Sequence, residues 1–236
     1  MINFNIEQLL SKNPYPGRGI LIGRSEDNKQ AVFLYFIMGR SVNSRNRVFE
    51  KTDDGIKTKA YDPKKLSDPS LVIYHPVRRI QTSTIVTNGD QTDTIADFAL
   101  NDRDFQSALR TREYEPDPPN YTPRISGIVF ADGSYKLSIL KTASGNPELC
   151  IRSFFEYETP IPGLGHFIST YRTDGDPLPS FEGEPIPVRV NISDGLDAYA
   201  NSVWESLNDE NKVSLYACGI TLSSGEIQEL IINKNK

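Results

Sequence analysis

The chain has 236 residues, 37% of them hydrophobic and 24% charged, with a formal net charge of −5. Such a length supports one large core or two small ones, while the acidic balance argues against a nucleic-acid coat, which needs a broad basic surface. No window approaches the about 18 consecutive apolar residues of a membrane span and the N-terminus lacks a basic-then-apolar leader, so a cytoplasmic address with no membrane partner is expected.

Taken in chain order, the pattern is dominated by strands. Short helical character is expected at Ile6 to Leu10. Gly19 to Arg24 and Gln30 to Met38 read as a hairpin, because the polar run Ser25 to Lys29 separates two apolar, β-branched stretches. Leu71 to His75 and Thr82 to Thr87 are the next expected strands. A helix is predicted from Asp102 to Tyr114, with Phe105, Ala108 and Leu109 on one face and Asp102 as its cap. Ile125 to Ala131 and Ser134 to Lys141 follow as strands, joined by Asp132-Gly133, a strong two-residue turn. Glu148 to Glu156 and His166 to Arg172 are read as strands too. A second helix is predicted from Asp194 to Leu207, where Leu196, Tyr199, Ala200, Val203 and Leu207 form one stripe. Val213 to Thr221 and Glu226 to Ile232, separated by Ser223-Ser224-Gly225, complete the series. About ten strands with two inserted helices predict stacked sheets covered by helices, not alternating β-α-β units. Pro116 to Pro119 and Asp176 to Pro187 read as rigid loops without a shift in composition, so a single domain over residues 1–236 is expected.

The densest polar stretch is Thr87-Asn88-Gly89-Asp90-Gln91-Thr92-Asp93-Thr94-Ile95, delivered by the apolar run Ile85-Val86. Asn88-Gly89 is a strong turn signal, since both residues tolerate positive φ. By its chemistry alone this segment is either an Asx-turn and helix cap or part of a site. Arg40, Arg45 and Arg47 crowd together after an apolar strand, and guanidinium groups bind phosphate through bidentate, charge-assisted hydrogen bonds. A small basic pocket in an acidic protein suits a compact anion. Tyr74, His75, Arg78 and Arg79 form a further polar group. Glu115, after the first predicted helix, is a general-base candidate if burial tunes it and a solvated helix end otherwise. The two histidines, His75 and His166, lack ligand-spaced partners, so no metal is expected. Cys150 and Cys218 sit in apolar sequence and are expected to be buried thiols. Phosphate-loop, dinucleotide and nucleophile-elbow motifs are missing.

In order, these segments resemble the archaeal-type IMP cyclohydrolase family. The matching residues are Tyr15-Pro16-Gly17-Arg18, Gly39-Arg40-Ser41 with Asn46-Arg47, Tyr74, the run from Thr87 to Asp97, Tyr114-Glu115, Thr122-Pro123-Arg124-Ile125 and Ile168-Ser169-Thr170-Tyr171. The Asn-Gly-x-x-Thr-Asp-x-Ile element is the specific one. The resemblance implies an α+β protein, a four-layer αββα sandwich like that of N-terminal-nucleophile hydrolases, with residues 1–14 as an extension. The sequence begins Met1-Ile2, so no processed Ser, Thr or Cys nucleophile is expected.

The implied reaction is closure of 5-formamidoimidazole-4-carboxamide ribonucleotide to inosine monophosphate with loss of water, the last step of purine biosynthesis. It needs no cofactor, because the substrate's own carboxamide nitrogen attacks the formyl carbon. The resemblance assigns catalytic roles to Tyr74, Glu115 and Arg40. It places Arg47, Asn88, Gly89, Asp90, Thr92, Asp93 and Arg124 around the substrate. The loop from Ser41 to Asn46 is longer than the family's, which leaves Arg45 and Arg47 as alternatives. Two other readings remain: a nucleotide-binding regulatory protein on the same scaffold, and a related amidohydrolase acting on another nucleotide. The partner implied is a purine nucleotide, and association into a homo-oligomer is compatible with such a sheet-rich chain.

Overall fold

Thirteen strands, five α-helices and one short 3-10 helix form among the residues that the computed structural model describes, 4–66, 69 and 71–235. Helix α1 (Ile6–Ser11) precedes the hairpin of β1 (Arg18–Arg24) and β2 (Gln30–Met38). The short helix α2 (Val42–Arg45) leads into β3 (Arg47–Thr52), β4 (Gly55–Ala60), β5 (Val77–Ile80) and β6 (Ser83–Thr87). Helices α3 (Gln91–Leu100) and α4 (Phe105–Arg110) come next, then β7 (Arg124–Val129), β8 (Tyr135–Ala143), β9 (Asn146–Tyr157), β10 (Leu164–Ser169) and β11 (Ile186–Arg189). Helix α5 (Leu196–Ser206) and the final hairpin of β12 (Lys212–Thr221) and β13 (Ile227–Asn233) close the chain.

The strands form two sheets, ordered β11-β10-β1-β2-β12-β13 and β3-β4-β5-β6-β7-β8-β9. Every pairing between these strands is antiparallel. The chain is therefore α+β. Alternation of side chains explains how the sheets stack. Ile20, Ile22, Phe33, Tyr35 and Ile37 of the first sheet pack against Val77, Val86, Ile125, Leu137 and Ile139 of the second. Their neighbours Leu21, Val32, Leu34 and Phe36 point outward, onto α1 and α5. On the far side Ile80, Ile85, Ile128 and Leu140 carry α3 and α4. Strand β2 is apolar at nearly every position because both of its faces are covered.

Several expectations need correction. Leu71 to His75 is not a ladder strand; the threonine side chain of Thr58 takes over part of the pairing, accepting from the Tyr74 amide at 2.8 Å and donating to Val72 O at 2.8 Å. The strand in this region is β5, after Pro76. The helix expected from Asp102 to Tyr114 is reduced to Phe105–Arg110, because Asp102 has a positive φ and Asp104 caps instead, accepting from Ser107 N at 2.6 Å. Cys218 is buried, whereas Cys150 lies half-buried on β9, and both thiols are free. The hairpin β3–β4 and strand β11 were not expected, while helix α3 realises the helix that the cap reading of Thr87 to Ile95 allowed. Among the described residues, no helix is long and apolar enough to cross a membrane.

Candidate active site

The cavity of about 370 Å³ at one end of the sandwich is lined from four directions. Tyr15 and Arg18 come from the start of β1, Met38, Arg40 and Arg47 from the β2–β3 connection, Glu115, Asp117 and Thr122 from the loop after α4, and Tyr171 from the end of β10. The β1–β2 and β1–β10 pairings bring Arg18, Met38 and Ser169 to the same sheet end, so residues distant in sequence converge.

Glu115 is the central group. Its amide donates to Thr122 O at 2.9 Å, closing the loop of residues 115–122 and holding the side chain inward. The carboxylate is 2% exposed and accepts from Asn88 Nδ2 at 3.3 Å and Arg18 Nη2 at 3.4 Å. Both contacts are long. Burial therefore prevails and raises the Glu115 carboxyl above the ordinary carboxylate range, against the pull of Arg18, Arg124 and Arg47. Arg18 itself suffers from burial, but Glu115, Tyr171 and Tyr74 more than offset that and secure its charge.

Arg47 is almost fully buried. Its Nε donates to Ser44 O at 2.8 Å and its Nη2 to Met38 O at 3.3 Å. Burial lowers its pKa, with Tyr74 opposing and Arg18 adding to the fall. Arg47 Nη1 and Arg18 Nε are buried donors with no partner among the described residues. Such groups cost about 1–3 kcal/mol each when left unsatisfied, so two in one cavity argue for an anionic or carbonyl guest. Arg45 turns away, donating to Gly39 O and Asn211 Oδ1, both at 2.9 Å; of the two alternatives Arg47 is the cavity arginine. Arg40 sits at the rim, paired with Asp174 at 2.6 Å and lying over the Tyr15 ring.

The other expected residues lie behind this lining. Tyr74 is buried with its hydroxyl 2.8 Å from that of Tyr35, and it acts electrostatically on Arg18 and Arg47. Asn88 is saturated: its Oδ1 accepts from Ile125 N at 2.8 Å and Gln91 Nε2 at 3.0 Å, and its Nδ2 donates to Pro123 O at 2.9 Å as well as to Glu115. Thr92 and Thr87 share a hydroxyl contact of 2.6 Å. Asp90 does not cap α3 with its side chain; it receives Arg124 Nη1 at 2.7 Å and Arg112 Nη2 at 2.5 Å. Arg124 also donates to Gln91 Oε1 at 2.7 Å. This network forms a rigid backing for Glu115. Asp93 is separate from it, one helical position on, paired with Arg78 at 3.0 Å.

Gly89 shows how tightly the backing is built. A Cβ there would lie 2.5 Å from Arg124 Nη1 and 2.7 Å from Gln91 Oε1. Gly89→Ala is expected to cost about 1–3 kcal/mol of stability by overpacking. Thermal unfolding checks this, and an unchanged midpoint would mean that Arg124 is freer than its contacts imply.

Sequence reasoning assigned no roles to Arg18, Tyr15, Thr122 and Tyr171, although all four fall inside the motifs quoted above. Tyr35 carried no signal of its own, since it sits in the apolar alternation of β2.

Comparison with known proteins places the chain in a family. Residues 15–224 match the family model described as IMP cyclohydrolase-like protein. An IMP cyclohydrolase of Methanococcus aeolicus is 26% identical over 162 residues, 66% of this chain and 74% of that protein. An IMP cyclohydrolase of Methanopyrus kandleri is 28% identical over 190 residues, 71% of this chain and 89% of that protein.

Proposed function

The chain belongs to the family of IMP cyclohydrolase-like proteins, and from that premise we propose that it is a cytoplasmic enzyme of purine biosynthesis, closing 5-formamidoimidazole-4-carboxamide ribonucleotide to inosine monophosphate. We read the helix-covered pair of sheets as the four-layer arrangement of N-terminal-nucleophile hydrolases, used here without a protein nucleophile. The observation that carries the reading is a buried carboxyl beside two guanidiniums whose N–H groups include donors with no partner among the described residues. That set suits a reaction in which the substrate supplies both electrophile and nucleophile.

Ring closure requires the formamide to fold onto the carboxamide, which a narrow cavity achieves by restricting rotation. The carboxamide nitrogen attacks the formyl carbon, and one of its protons passes to the Glu115 carboxylate. Charge gathers on the former formyl oxygen, where the guanidiniums of Arg47 and Arg18, both in the cavity lining, stabilise it. Glu115 then returns that proton to the alkoxide, making a hydroxyl; the hydroxyl departs with the proton of the former formamide N–H, so that water leaves as the C=N bond forms and the ring becomes aromatic. A raised pKa fits this double duty, because the group must both take and give the proton near neutral pH. Tyr74, bonded to Tyr35, offers a route for proton exchange beside the arginines. Asn88, Gly89, Asp90, Thr92 and Arg124 act by holding Glu115 and the loop from Thr87.

Rim position and exposure suit Arg40 to the substrate phosphate. Arg40→Ala is expected to raise KM for the nucleotide about tenfold or more, since a charge-assisted contact is worth roughly 1.5–3 kcal/mol, while leaving kcat close to normal. Equal weakening for the dephosphorylated nucleoside would remove this assignment. The overall reading is tested by incubating the purified protein with the formamido ribonucleotide and following inosine monophosphate by absorbance. Nucleotide binding without turnover would favour the regulatory alternative.

A further inference from the structure

In the wall of the cavity that also holds Glu115 runs a chain of three groups whose proton positions are determined by their chemistry. Asp117 Oδ1 accepts from Thr122 N at 2.6 Å, and Asp117 Oδ2 accepts from the Thr122 hydroxyl at 2.5 Å. An ionised carboxylate has no proton to donate, so the single hydroxyl proton of Thr122 is committed to Asp117. The contact of 2.6 Å between Thr122 Oγ1 and the Tyr171 hydroxyl must therefore use the proton of Tyr171. Thr122 and Tyr171 are both buried, which keeps water from competing for these bonds. The Tyr171 ring is stacked on Tyr15 with centroids 5.9 Å apart, so its direction is held as well.

With its proton spent, the Tyr171 oxygen has lone pairs alone to offer. Among the described residues, no hydrogen bond is donated to it. Tyr171, Thr122 and Asp117 all line the same cavity as Glu115. A ligand group that meets this oxygen must bring an N–H or O–H, and a carboxylate there would face oxygen against oxygen.

We propose that Asp117, acting through Thr122, sets the Tyr171 hydroxyl as a hydrogen-bond acceptor toward the cavity, and that this acceptor holds one N–H of the reacting carboxamide. The inference rests on the cyclohydrolase reading. It gives the two protons of the carboxamide separate partners: one is held by Tyr171 while the other goes to Glu115. The nitrogen lone pair is thereby aimed at the formyl carbon, and a 4-carboxylate analogue is rejected. Tyr171 touches the substrate; Thr122 and Asp117 are positioning residues.

The test measures inhibition by 5-aminoimidazole-4-carboxamide ribonucleotide and by its 4-carboxylate counterpart, and reads the ratio of the two constants. Tyr171→Phe and Thr122→Val should each reduce the preference for the carboxamide by about tenfold to a hundredfold, the worth of one buried hydrogen bond left unmade. Thr122→Ser keeps the hydroxyl and should retain the original ratio. Asp117→Asn places an amide N–H against Thr122 Oγ1, which turns the Thr122 proton onto Tyr171 and the Tyr171 proton into the cavity; the preference should then shift toward the carboxylate. A merely structural role would weaken both ligands alike, and ratios unchanged in Tyr171→Phe and Thr122→Val would overturn the proposal. Absence of turnover by the unaltered protein would sink the cyclohydrolase reading and this inference with it. Turnover with unchanged ratios would sink the inference alone.

Discussion

Glu115→Gln is expected to lower kcat by about 10²–10⁴, the usual contribution of a positioned acid/base group. The amide keeps the shape of the side chain but cannot exchange a proton with the substrate. Thr122 still holds the Glu115 backbone at 2.9 Å, so the loss reports on chemistry more than on folding. The pH profile gives a second reading. Because burial raises the Glu115 carboxyl, its base form accumulates only above the ordinary carboxylate value of about 4.3, and kcat/KM should fall on an acid limb displaced upward from there. Stability follows the opposite course. The folded state holds this proton more tightly than the unfolded chain, so Glu115 contributes most below the ordinary value, and that contribution is lost as pH rises through the raised pKa. An unchanged kcat, or an acid limb that persists in the Gln variant, would take Glu115 out of the acid/base role.

Arg47→Met should lower kcat by about 10²–10³, the cost of removing one preorganised donor to a developing oxyanion. Unlike Arg40 at the rim, Arg47 is 1% exposed and has one terminal nitrogen with no hydrogen-bond partner among the described residues. Methionine fills much of the same volume without a charge. Burial already presses the Arg47 guanidinium toward its neutral form, and a buried charge replaced by an apolar side chain is often neutral or stabilising. Activity should therefore collapse while the thermal midpoint holds or rises, the signature of a residue kept for function at the expense of stability. A rise in KM with kcat intact would reassign Arg47 to ground-state binding of the phosphate.

How much of this was legible in the sequence differs by element. The hairpin β1–β2 was clear because continuous apolar runs flank a polar turn, and β7–β8 because Asp132-Gly133 suits a tight reversal. Hairpin β3–β4 was hidden: its residues mix charged with small or apolar side chains, and only half of them are buried. Helix α3 was obscured by its polar first turn, whose side chains are spent on tertiary contacts; Gln91 and Thr92 are buried and hydrogen-bonded there. The choice between Arg45 and Arg47 could not be made from spacing, since the short helix α2 turns one guanidinium toward Asn211 and the other under β2.

The run from Thr87 to Ile95 illustrates the division between the two kinds of information. Its density of donors and acceptors is a local property that left a helix cap and a site as alternatives; its order among Arg40, Tyr74, Glu115 and Arg124 implied a nucleotide pocket only through the family resemblance. Whether those groups meet a ligand or one another depends on partners far away in the chain: Asn88 is spent on Ile125, Pro123, Gln91 and Glu115, and Arg18 reaches Glu115 across 97 positions. Periodicity and turn chemistry determine strands and hairpins because they act over a few residues. Which polar groups are satisfied, which carboxyl is desolvated and which donor is left free are decided by tertiary packing alone, because each depends on the sum of neighbours that the fold brings within hydrogen-bonding distance.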